Sequence, residues 1–269
     1  MTSPTNDATL AVATRAARTA ASIVVDAARD LKRLPTFSKA RGGIVSGADM
    51  EAEDAIIATI RAAFPEHAIL GEESGHIDGA RDSGNCRWLV DPLDGTVNFV
   101  HGYPYFAVSI ALVNGADVTH AVVLDPVRDE LFTAVRTKGA FCNGAALHMS
   151  TCVNLADALV GTVSPVRGDP KLQEHLSTWN ALAGVCAGLR QTGSGALDLA
   201  HLASGRLDGF WITSLKAWDI AAGALLVTEA GGRVGDFAGG GQILRAGEAI
   251  AAAPGIFNSL REAIAGSRA

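Results

Sequence analysis

The chain is predicted to fold as an α+β layered sandwich. Two long helical patterns open the sequence, a run of short strand-like segments with turn residues between them follows, and strands alternate with helices beyond about residue 150. The 269 residues correspond to about two average domains. The change of rhythm marks an α+β half over 1–148 and an α/β half over 149–269, which fits two fused halves or one continuous domain.

Residues 9–31 place Ala13, Ala16, Ala20, Ile23, Val24, Ala27 and Leu31 at three- and four-residue spacing, which predicts an amphipathic helix. A second helix is predicted from Asp49, carrying Ala52, Ile56, Ile57, Ile60 and Phe64 and stopping before Pro65. Residues 67–70 and 87–90 read as strands, each followed by acids or glycine. Segments 106–113, 118–124 and 130–135 are separated by Asn114-Gly115 and Asp125-Pro126, the pattern of an antiparallel meander. In the second half, 158–163 is strand-like and Asp169-Pro170 opens a helix to about Leu182. Residues 196–203 are helical and closed by Gly205, 207–212 form a strand, and 218–230 form a helix closed by Gly231-Gly232. A last strand is predicted over 243–253, ending at Pro254-Gly255 before a C-terminal helix.

With 48% hydrophobic and 19% charged residues, the composition excludes a disordered or collagen-like chain. No uninterrupted apolar run reaches the roughly 18 residues that cross a membrane, and the polar stretch 1–7 does not begin a signal peptide. A cytoplasmic protein with no membrane partner is expected. The 22 basic and 28 acidic residues leave a net charge of −6, which argues against a nucleic-acid partner. An anionic small substrate remains open if bound cations reverse the local sign. Cys86, Cys142, Cys152 and Cys186 form no CxxC pair and are expected to be buried and reduced. The seven histidines form no metal-ligand motif.

The sharpest local signal is Trp88-Leu89-Val90-Asp91-Pro92-Leu93-Asp94-Gly95-Thr96. An apolar strand delivers Asp91 at its end, Pro92 fixes a turn, and Asp94 can point to the same side. Gly95 permits close approach of a ligand, and Thr96 can begin a helix whose N–H groups face an anion. The same residues also satisfy an ordinary Asx turn. Gly71-Glu72-Glu73-Ser74 offers carboxylates after a strand, and Asp49 and Asp219 stand at helix starts, where N-capping alone would explain them. If Glu72, Asp91, Asp94 and Asp219 converge, they require raised pKa values or compensating cations. Oxygen ligands without His or Cys select Mg2+ or Mn2+. A pair of such ions about 3.5–4 Å apart can clamp a phosphoryl group.

These segments resemble the magnesium-dependent, lithium-sensitive inositol monophosphatases, over almost the whole chain. The likeness is carried by residues 88–99, by Trp218-Asp219-Ile220-Ala221-Ala222-Gly223, by Gly71-Glu72-Glu73-Ser74 and by Val45-Ser46-Gly47-Ala48-Asp49. The resemblance implies an α/β/α/β/α sandwich of the inositol monophosphatase and fructose-1,6-bisphosphatase type, a homodimer, and two or three Mg2+ ions per site with Mn2+ as an alternative. It implies that Glu72, Asp91 and the Leu93 carbonyl hold one metal, and that Asp91, Asp94 and Asp219 hold another. Thr96 paired with Asp49 would activate water. The backbone of Gly95 and Thr96 would bind phosphate, and Gly193-Ser194-Gly195 would line the sugar pocket. The implied reaction is hydrolysis of a small phosphate monoester, first of all inositol 1-monophosphate to inositol and phosphate. Histidinol phosphate, a sugar phosphate or a nucleotide phosphate are alternatives, and a non-catalytic regulatory binding protein is a third reading.

Two departures from the family stand out. Ile212 occupies the position of a substrate-binding glutamate, and an unpaired polyol hydroxyl there would cost on the order of 1–3 kcal/mol. Lys216, four residues on, is a candidate contact for phosphate or carboxylate. The second departure is Lys39-Ala40-Arg41-Gly42-Gly43, where the family has a more polar loop tied to a third metal.

Overall fold

The computed structural model describes residues 7–31, 35–38, 44–80 and 85–268. Lys39 and the loop around it lie outside the described residues. The N-terminal half begins with α1 (Ala8–Ala28), capped by the Asp7 carboxylate, which accepts from the Thr9 and Leu10 amides. The hairpin β1 (Thr36–Ser38) and β2 (Ile44–Ser46) leads into α2 (Gly47–Ala63). There follow β3 (Ala68–Gly71), β4 (Gly75–Ile77), β5 (Cys86–Asp94), the short α3 (Thr96–Val100), β6 (Ala107–Asn114), β7 (Asp117–Asp125), β8 (Glu130–Val135), β9 (Gly139–Cys142) and β10 (Ala145–Ala146). The strands from β3 onward build an eight-stranded sheet of order β10-β9-β8-β7-β6-β5-β3-β4. Only the β3–β5 pairing in it is parallel.

The second half contributes β11 (Leu159–Thr162), α4 (Leu172–Ala183), β12 (Gly188–Gln191), α5 (Gly195–Ala203), β13 (Gly209–Ile212), α6 (Ala217–Glu229), β14 (Arg233–Gly235), α7 (Ile243–Ala246), β15 (Ala249–Ala252) and α8 (Phe257–Gly266). Its five-stranded sheet has the order β12-β11-β13-β15-β14. The period-2 alternation of buried strands sorts side chains onto three apolar layers. Trp88, Val90, Val108, Ile110 and Val122 face α1 and α2. Leu89, Ala107, Ala111 and Phe132 face α5 and α6, which meet Phe210, Ile212 and Ala251 of the smaller sheet from the other side. Val160, Trp211 and Ile250 turn away toward Leu182 of α4 and Leu260 of α8. The result is the α/β/α/β/α sandwich, with α5 and α6 as the central layer shared by both halves.

The helix α1 is long and apolar enough to meet a membrane-span criterion. Its apolar face, including Ala16, Ala20 and Val24, is instead packed into the protein core. Two expectations are corrected. Residues 243–246 form α7 rather than strand, because Gly247 at φ 71° turns the chain and leaves only Ala249–Ala252 to pair with β13 and β14. The four cysteines are free as expected, but half-buried rather than buried.

Candidate metal centre

The site is built around the end of β5. Asp91 pairs with Ser109 of β6 and Asp94 with Ala107, so three steps on one strand oppose two on the other. This bulge re-aims the carboxylates. The Leu93 amide donates to Asp91 Oδ1 at 3.0 Å, so the Asx turn is present and fixes one oxygen of the candidate ligand. Gly95 caps α3 at φ 98°, and a Cβ there would lie 3.0 Å from the Tyr105 carbonyl. Only glycine fits both demands.

Three further elements bring acids to this turn. Glu72 lies in the loop between β3 and β4, with its amide on the Val90 carbonyl at 3.0 Å. Asp219 sits in the first turn of α6, and Asp49 in the first turn of α2. One oxygen from each of Glu72, Asp91 and Asp219 lies within 4.8 Å of the others. Burial, then the charges of Glu72, Asp94 and Asp219, hold the Asp91 carboxyl well above its ordinary range. Burial pushes Asp94 up to about 6, against hydrogen bonds from Ser194 and Ala196 that favour its ionised form. Burial again leads for Asp219, raised to about 8 with help from Asp94 and Glu72. Oxygen donors packed this closely favour protons or cations, and the donor set fits a hard divalent ion such as Mg2+.

The N-capping roles and the convergence coexist. Asp219 Oδ2 accepts from the Lys216 amide at 2.6 Å, and Asp49 Oδ2 accepts from the Ser46 amide at 2.9 Å. The other oxygen of Asp49 accepts from Thr96 Oγ1 at 3.0 Å, while the Leu93 carbonyl lies 3.1 Å from the same hydroxyl. With one proton, Thr96 donates to one of them at a time. Burial raises the Asp49 carboxyl. Asp94 Oδ2 accepts from Ser194 Oγ at 2.6 Å and from the Ala196 amide at 2.7 Å. Ser194 is thus buried against Asp94 as the cap of α5, with Gly193 before it and Gly195 as the first helical residue. Lys216 is exposed at the start of α6, and Ile212 is buried among apolar neighbours with no acceptor to offer.

Several supporting residues carried no sequence signal. Glu53, one turn beyond Asp49 on α2, accepts from the Glu73 and Ser74 amides. Asn98 donates to the Tyr105 and Thr192 carbonyls at 2.7 and 2.8 Å. Asp198 accepts from the Tyr105 and Thr192 hydroxyls at 2.8 and 2.7 Å, and burial raises its carboxyl to about 8. The Asn98–Thr192 and Tyr105–Asp198 bonds tie the two halves together beside the acids. The bonds between the halves span 93 and 94 positions and those of Glu53 reach a loop 20 and 21 positions away, so local sequence does not announce them, although Asp49 and Glu53 share α2 spacing.

Residues 5–268 match the model of the inositol monophosphatase family. The chain is 45% identical over 256 residues to Nus factor SuhB of Pseudomonas aeruginosa, covering 93% of each protein. It is 43% identical over 235 residues to inositol-1-monophosphatase of Rhizobium meliloti, covering 87% of this chain and 88% of that one. Among solved structures, the extragenic suppressor protein suhB of Bartonella henselae superposes with a TM-score of 0.92 at 39% identity, covering 96% of this chain and 98% of the other. Inositol monophosphatase from Anabaena superposes with a TM-score of 0.84 at 32% identity, covering 96% and 95%. With the fold, the acidic centre and these likenesses in agreement, the chain belongs to the inositol monophosphatase family.

Proposed function

We propose that this protein is a Mg2+-dependent phosphomonoesterase for a small hydroxylated phosphate ester, with inositol 1-monophosphate as the first candidate substrate. The observation that carries this reading is the approach of Glu72, Asp91 and Asp219 oxygens to within 4.8 Å of one another. Glu72, Asp91 and the Leu93 carbonyl would hold one ion, and Asp91, Asp94 and Asp219 a second. Bound there, Mg2+ supplies the positive charge that acidifies an attacking water and neutralises the departing oxygen. The chain's own part is proton handling and orientation. Thr96 Oγ1, donating to Asp49, keeps lone pairs free to accept a proton from water and passes its own to Asp49 Oδ1. The raised carboxyl of Asp49 favours that acceptance. Backbone N–H groups of Gly95 and Thr96 would receive phosphate oxygens, and Gly193, Ser194 and Lys216 would border the alcohol side.

The name of the Rhizobium relative supports inositol 1-monophosphate as substrate. Ile212 weakens it, because its buried apolar side chain has no acceptor to offer a substrate hydroxyl. Phosphate release should therefore be measured across inositol 1-phosphate, histidinol phosphate, a sugar phosphate, a nucleotide and glycerol phosphate. Faster turnover of inositol 1-phosphate than of glycerol phosphate is expected, and equal rates would remove the inositol assignment. A second reading, a regulatory binding role, is favoured by relatives named Nus factor SuhB. Absence of turnover on every ester with Mg2+ present would select it. The phosphatase reading also carries lithium inhibition, a homodimer and a cytoplasmic location.

A further inference from the structure

The loop that bears Glu72 is a three-residue hairpin connection, closed by the pairing of Gly71 with Gly75, the latter at φ 71°. Such a turn leaves amides without strand partners, and here one side chain takes two of them. Glu53 Oε1 accepts from the Glu73 amide at 3.0 Å, and Oε2 accepts from the Ser74 amide at 2.7 Å. Glu53 is 2% exposed, so its carboxylate is committed to this loop rather than to solvent. Close approach needs Gly71: a Cβ there would lie 2.3 Å from Glu53 Oε1. On the other side, the Glu72 amide is held by the Val90 carbonyl, one residue before Asp91. Glu72 is therefore fixed between β5 and α2, the same helix that presents Asp49 to Thr96.

We propose that Glu53 is a positioning residue for the metal centre: by gripping the amides of Glu73 and Ser74 it holds Glu72 in place to bind a divalent cation. The inference rests on the metal-site reading above. Outer-shell partners of ligands typically set metal affinity by about 10- to 100-fold, and that is the expected weakening in Glu53→Gln, where one acceptor becomes an N–H facing an N–H. The test is titration of the metal-free protein with Mn2+, followed by electron paramagnetic resonance without substrate. Wild-type binding with an unchanged affinity in Glu53→Gln overturns the inference and leaves the metal site standing. No Mn2+ binding by the wild type overturns both. Should Glu53→Gln not fold, Gly71→Ala decides by the same titration, because its methyl displaces Glu53; about 10-fold weakening supports the role and none overturns it. A structural role alone would not make the two losses share one origin. Gly71→Ala should weaken Mn2+ binding strongly in the wild type but less than about twofold in a Glu53→Ala background, and additive losses would contradict the proposal.

Discussion

Asp94 is shared between two tasks, since one of its oxygens accepts from Ser194 and Ala196 while its charge raises Asp219 and Asp91. Asp94→Asn keeps size and an acceptor but removes the charge. Phosphate release should fall by more than about 100-fold, beyond the loss typical of outer-shell changes, with the cooperative melt retained; near-normal turnover would reject Asp94 as a ligand. Thr96 is separable from metal binding. Thr96→Ala should slow kcat at saturating Mg2+ by roughly 100- to 10,000-fold, whereas Thr96→Ser, which keeps the hydroxyl between Asp49 and Leu93, should retain most of it.

At the scale of elements, α2 joins stability to chemistry along one stripe: Asp49 and Glu53 at the site end, Ile56 and Ile60 in the core. Ile56→Ala should cost about 2–5 kcal/mol in urea unfolding while Mn2+ affinity stays near wild type. This helix, α1 and the β6–β8 meander were legible because apolar residues repeat at 3.6 or 2 positions and Asn114-Gly115 and Asp125-Pro126 mark the turns. Strands of two to four residues such as β4, β10, β12 and β14 were not, because so few residues carry no periodicity. The strand forecast over 243–253 failed at Gly247, where an apolar run continued through a backbone reversal. In the site, Glu72, Asp91, Asp94 and Asp219 were visible as acids at strand ends and helix starts. Glu53 was not, because its partners are the backbone amides of a loop 20 and 21 positions away.

For the whole molecule, the central layer and the bonds Asn98–Thr192, Tyr105–Asp198 and Ser194–Asp94 make the two halves one structure around the acids. That arrangement sets a pH dependence. Asp94 near 6, Asp219 near 8 and Asp198 near 8 stand above the unfolded carboxyl value of about 3.9. The folded metal-free protein therefore binds more protons than the unfolded chain from about pH 4 to about pH 8, and its stability falls as pH rises over that range; between about 6.5 and 8.5 the fall comes chiefly through Asp219 and Asp198. Partly buried His201, lowered to about 4, acts below its unfolded value near 6.5 and stays outside that upper window. Calorimetry should show the melting temperature of the metal-free protein falling across it, and Mg2+ raising that temperature more at the alkaline end, where protons no longer compete. A flat profile with no metal effect would contradict the electrostatic picture. The most direct test of the catalytic account is phosphate release from inositol 1-phosphate after chelation with EDTA and after Mg2+ is returned. The account predicts loss of turnover in chelator and recovery with Mg2+; turnover that persists in chelator would contradict it.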